Sequence, residues 1–131
     1  MRVYVSRDSV AAGDDLTPPH SKKFTVADGS QTQEVIAAVI KAYRLPTISG
    51  GKATWCLSSS VPLAVVAQQW RLHKIVDAVP PLIDKLDLRI GTVCFHFSYL
   101  LQIDPDVVMS VLQNLTLRAI DDGRGPSDQP A

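Results

Sequence analysis

The sequence predicts a single α+β domain: a mixed β-sheet packed on one main helix, with a C-terminal strand–helix extension. Three observations predict it. Apolar and polar residues alternate in several short segments, the two-residue period of half-buried strands. One segment, over 31–44, repeats its apolar residues at helical spacing instead. The length of 131 residues suits one domain whose core needs no disulfide or metal.

The first strand runs from Arg2 to Val10, where Val3 and Val5 alternate with Arg2, Tyr4 and Ser6. The segment AAGDDLTPPHS breaks it, because Gly13, two aspartates and Pro18-Pro19 favour a loop. A second strand follows over Lys22–Ala27, with Phe24 and Val26 on one face and Lys23 and Thr25 on the other. The main helix comes next. Ser30 and Gln33 have the spacing of a capping box, and Val35, Ile36, Val39, Ile40 and Tyr43 make one apolar stripe. Glu34 near its start and Lys41 and Arg44 near its end suit the helix dipole, and Pro46 stops it.

Lys52–Ser60 reads as a third strand and Leu63–Trp70 as a fourth, the latter nearly continuous in its apolar half, as expected of a strand covered on both faces. Pro80-Pro81 can start a short helix through Leu86. Arg89–Tyr99 alternates Val93, Phe95 and Phe97 with Cys94, His96 and Ser98, a further strand. Asp104-Pro105-Asp106 starts a second helix, over 105–115, with Val108, Val111, Leu112 and Leu115 as its stripe. Residues 121–131 are rich in Gly, Pro and Asp and read as a disordered tail, which leaves a domain over 1–120. The expected core is Val3, Val5, Phe24, Val26, Ile36, Val39, Ile40, Trp55, Leu63, Val65, Phe95, Val108 and Leu112.

Composition excludes several classes. Thirteen basic residues balance thirteen acidic ones, which argues against a broad basic face for nucleic acid. No apolar run reaches the roughly 20 residues of a membrane span. The opening MRVYVSRDSV carries charges and does not read as a signal peptide, so the expected setting is cytoplasmic. Cys56 and Cys94 are too few for a disulfide scaffold.

The segments RVYV and KKFTVADGSQTQEVIAAVIKAYRL resemble the opening of a ubiquitin-like β-grasp, in particular a Ras-association-type domain. There a basic second strand runs into a capped helix that ends in Tyr and a basic residue. The resemblance covers residues 1–72 and implies a β-grasp-like core, with 73–120 as an extension. The loop AAGDDLTPPHS is longer than a usual β-grasp turn. In type rather than motif, the chain also resembles bacterial immunity proteins, which neutralise a toxin domain.

Candidate chemistry is sparse. Cys94 and His96 share a strand face with Ser98, the neighbour relation of a thiolate activated by an imidazole. The commoner role of such a pair is a small buried hydrophobe beside a polar-face residue. His20, His73 and His96 are scattered without metal-ligand spacing, so no metal is expected. Ser49-Gly50-Gly51-Lys52 lacks the first glycine and the hydroxyl residue of a phosphate loop, and reads as a turn. Asp14 and Asp15, with Asp8 nearby, form an acidic patch that is more often solvated than functional.

The basic set is Lys22, Lys23, Lys41 and Arg44. Placed at one sheet edge, these residues would either recognise an acidic partner strand or only discourage aggregation. Trp70 beside Arg71 has the composition of an interface anchor, and is equally suited to a core position. Trp55 suits the core better. The sequence therefore points to a non-catalytic protein-interaction module without cofactor. Its partner is another protein, in the immunity setting a toxin or effector domain, and the Ras-association-like adaptor is the next reading. The alternative is a small cysteine-dependent enzyme using Cys94 and His96.

Overall fold

The computed structural model describes residues 1–10, 21–77, 79–86 and 91–114. Its strands are β1 (Arg2–Arg7), β2 (Ser21–Thr25), β3 (Thr54–Ser58), β4 (Pro62–Ala67), β5 (Lys74–Ile75) and β6 (Thr92–Tyr99). Helix α1 covers Thr32–Ala42, a short 3-10 helix covers Ile83–Leu86, and helix α2 is described over 105–114. The α+β expectation is met by one six-stranded mixed sheet in the order β2-β1-β6-β3-β4-β5. Strands β1 and β6 run parallel, and every other neighbouring pair is antiparallel.

Alternation decides what each face carries. Val3 and Val5 of β1, Val93, Phe95 and Phe97 of β6, and Trp55 and Leu57 of β3 point to one face. There they meet Val35, Ile36 and Val39 of α1, and Tyr43 just beyond its end, in one apolar cluster. Tyr43 packs its ring against Phe97, with centroids 5.4 Å apart. Phe24, Val26 and Ile40 line the margin of this cluster as partly buried residues.

Among the described residues the second face is covered only at one end. Cys56 of β3 and Val65 and Ala67 of β4 are buried there with Val76 and Val108. Helix α2 lies over this end: the Thr54 hydroxyl donates to the Ile103 carbonyl at 2.7 Å, and the Asp77 N–H donates to Gln113 Oε1 at 3.0 Å. Burial on both faces explains the nearly continuous apolar run of β4. The start of α2 follows the sequence reading, because Asp104 Oδ1 accepts the Asp106 N–H at 2.9 Å.

Three local readings need correction. Ser30 does not cap α1. The cap position is Gln31, which makes no side-chain cap bond, and the Ser30 hydroxyl turns back to the Ala27 carbonyl. The 79–86 segment takes over that duty: Thr32 N–H donates to the Pro81 carbonyl and Ile83 N–H donates to the Ser30 carbonyl, both at 2.9 Å. Helix α1 is also shorter than 31–44, ending at Ala42. Trp70 lies beyond β4, not in it, because the strand ends at Ala67 and a turn follows.

The strand read in the 73–120 extension is β6, and it lies in the middle of the sheet between β1 and β3. The loop over 11–20, residues 89–90, Leu115 and the tail over 121–131 fall outside the described residues.

Candidate functional site

The other end of the second face is open among the described residues. Register makes it a small grid of polar side chains. Arg2, Tyr4 and Ser6 of β1 lie between Thr25, Lys23 and Ser21 of β2 and Thr92, Cys94 and His96 of β6. Ser58 of β3 pairs with His96 on the far side. A cavity of about 750 Å³ opens over this grid. That volume falls within the range of small-molecule sites.

One hydrogen-bonded chain crosses the grid. Ser6 Oγ lies 2.7 Å from His96 Nδ1, and His96 Nε2 lies 2.7 Å from Asp8 Oδ1. The second carboxylate oxygen of Asp8 accepts the Tyr99 N–H at 2.9 Å. The parallel register puts Ser6 directly beside His96, and Asp8 follows two residues later on the same face. Partial burial alone would push the Asp8 carboxyl up, but the hydrogen bond from His96, the Tyr99 N–H and the charge interaction with His96 together outweigh it. The net direction is below the ordinary aspartate value. An ionised Asp8 accepts a proton-bearing Nε2. Nδ1 then presents its lone pair to the Ser6 hydroxyl whenever the ring is neutral.

Cys94 and His96 do share this face, as alternation predicts. Yet both His96 ring nitrogens are engaged by Ser6 and Asp8. The imidazole therefore serves Ser6 and not Cys94, which is exposed. Ser98 pairs with Cys56 at the end covered by α2. Cys56 is buried, and that burial pushes its thiol up. Among the described residues no three His, Cys, Asp or Glu side chains group as metal ligands. Asp14, Asp15 and His20 fall outside the described residues.

The basic set divides. Lys22 and Lys23 occupy adjacent positions of β2 and so point to opposite faces. Lys22 Nζ donates to the Ala42 carbonyl at 3.0 Å, on the side of Lys41 and Arg44 at the end of α1. Lys23 lies over the Tyr4 ring, 5.9 Å from its centroid. Trp70 and Arg71 follow β4, toward the opposite edge of the sheet, so they do not join the lysines. Trp70 is half-buried under Lys74, whose Nζ is 4.4 Å from the ring centroid. Trp55 is buried in the core and packs on Tyr99 at 4.9 Å. The Ser49-Gly50-Gly51 segment is a turn, with both glycines at positive φ, 98° and 68°.

Sequence reasoning missed Ser6 and the role of Asp8. Its signals were present in part: alternation already placed Ser6 on the polar face of β1 and His96 on the polar face of β6. No family model, curated protein or solved structure matches the chain. Among the described residues no helix is long and apolar enough to cross a membrane.

Proposed function

We propose that the chain is a protein-interaction domain of the β-grasp type, which adds a partner's acidic strand to its edge strand β2. The observation that carries this reading is the position of β2: a five-residue basic strand that, among the described residues, pairs only with β1, at the edge of the sheet. An edge strand presents unpaired backbone groups that a partner strand can take up. Lys22 and Lys23 flank that edge, one on each face. A strand added there meets a cation at two successive positions, whichever face its acidic residues occupy.

The β-grasp type is supported by the strand order. A β1–β2 hairpin precedes a helix, β3 and β4 follow, and a late strand returns between β1 and β3, parallel to β1. That order favours the Ras-association-like adaptor reading. The two-residue β5 adds a short rung outside it. The immunity-protein reading uses the same edge and differs only in the partner, a toxin or effector domain.

The test is capture of partners from native lysate, with Lys22→Glu/Lys23→Glu in parallel. The reading predicts one stoichiometric protein that the variant loses. Hydrogen exchange of the complex should then show new protection at residues 21–25. Because Lys22 also caps α1, Lys22→Ala, which loses the cap and one cation without adding a negative charge, serves as the intermediate case.

A further inference from the structure

We infer that the open end of the second sheet face is a site of nucleophilic chemistry: Ser6 is activated by His96 to attack the acyl carbon of small esters that carry an anionic group. This goes beyond the interaction reading: the nucleophile and its base lie on β1 and β6, and only Lys23 is shared with the β2 edge.

The case begins with proton positions. Asp8 accepts two N–H donors, the Tyr99 backbone and His96 Nε2, and is held ionised. The neutral imidazole then has Nδ1 free of its proton, 2.7 Å from Ser6 Oγ, which is the distance of a hydroxyl donating to a base. Nucleophile, base and a third group that orients the base form the arrangement needed to activate serine. Asp8 is the positioning residue.

The cavity supplies selectivity. Arg2 and Lys23 line it with Tyr4 between them and the serine. The described residues give neither cation a carboxylate partner, and Lys23 lies over the Tyr4 ring. Arg2 is four residues from Ser6 along β1, roughly 13 Å of strand. An ester whose anionic end meets Arg2 or Lys23 can lay its body along Tyr4 and bring its carbonyl to Ser6.

The step is ordinary acyl transfer. Ser6 Oγ bonds to the acyl carbon while its proton passes to Nδ1. The bond to the leaving alkoxide breaks, and the alkoxide takes that proton. Water then attacks the acyl-serine, gives its proton through Nδ1 to Ser6 Oγ, and releases the acid. Val3 to Ser6 of β1 pair on both sides within the sheet, so among the described residues the backbone up to the nucleophile is committed to the ladders and not to an oxyanion. Loss of such a donor slows acyl transfer by about 10²–10³-fold. Labelling over minutes to hours is therefore expected, not fast turnover.

The test treats the full chain with an alkyl fluorophosphonate and maps the adduct by mass spectrometry. The inference predicts one phosphonyl group on Ser6, none in Ser6→Ala, and labelling at least about 10-fold slower in His96→Gln. Hydrolysis of mono-4-nitrophenyl sebacate, whose chain spans most of the distance from Ser6 to Arg2, should exceed that of neutral 4-nitrophenyl decanoate, and Arg2→Gln/Lys23→Gln should remove that preference. Two-bond nitrogen–proton NMR of the neutral His96 ring should show the Nε2–H form, a readout that does not require any variant to fold. An unlabelled Ser6, a rate unchanged in folded His96→Gln, or an Nδ1–H ring would each overturn the inference.

Discussion

Truncating Phe97 tests the placement of β6 most severely. Phe97 is fully buried, with 0% exposure, and its ring packs on Tyr43 at the end of α1. Its backbone lies between Arg7 of β1 and Leu57 of β3. Phe97→Ala removes a ring from the contact between the sheet centre and the main helix, where the neighbours on both strands are fixed by ladders and cannot collapse inward. Such truncations cost about 3–5 kcal/mol. Domains of this size have total stabilities of about 5–15 kcal/mol, so the variant should keep well under its full margin. With a urea slope of about 2 kcal/mol per molar, the midpoint should fall by about 2 M. Equilibrium urea unfolding followed by tryptophan fluorescence measures it, since Trp55 is in the same cluster. A loss below about 1 kcal/mol with an unchanged slope would mean that β6 is peripheral, and the sheet order argued here would be wrong.

Three further outcomes are expected. Asp8 has a folded-state pKa below its unfolded value, so its contribution is complete above about pH 4 and is lost as pH falls through the folded value. Asp8→Asn should flatten that part of the stability profile measured by urea unfolding between pH 5 and pH 2.5, and an unchanged profile would count against the His96–Asp8 pair. Leu101 is a non-glycine residue at φ 59° and is 63% exposed, so Leu101→Asn should stabilise by roughly 0.5–1 kcal/mol in thermal melts, because asparagine tolerates this left-handed conformation. A disulfide reagent should modify Cys94 at once and Cys56 only after unfolding, and two fast thiols would contradict the burial of β3 under α2.

Much of the fold was legible because it rests on local periodicity. Alternation in RVYV and TVCFHFSY set the core residues of β1 and β6 on one face, though of Val93, Phe95 and Phe97 only Phe95 was expected in the core, and the stripe of Val35, Ile36 and Val39 named the buried side of α1. The cap of α2 was legible because Asp104 bonds two residues ahead. The cap of α1 was not, because its partners are Pro81 and Ile83, some fifty residues away in the chain. Strand β5 is two residues long and exists only through its pairing with Ala64 and Val65. The site failed for the same reason. Ser6 and His96 are 90 residues apart, and only the parallel register of β1 with β6 joins them. His96 was singled out with Cys94, its neighbour along the strand, whereas its partners stand on the next strand over.

The central proposal is that β2 is a docking edge whose two lysines select an acidic strand. Affinity of the captured partner for the wild type and for Lys22→Glu/Lys23→Glu, titrated at low and moderate salt with Lys22→Ala beside them, tests it most directly. Expected are wild-type binding that weakens with salt, a loss of about 10-fold or more on charge reversal, equivalent to about 1.4 kcal/mol, and a smaller loss for Lys22→Ala, which removes one of the two cations. Equal affinity of the folded charge-reversed variant, or no partner captured by the wild type at either salt, would contradict it.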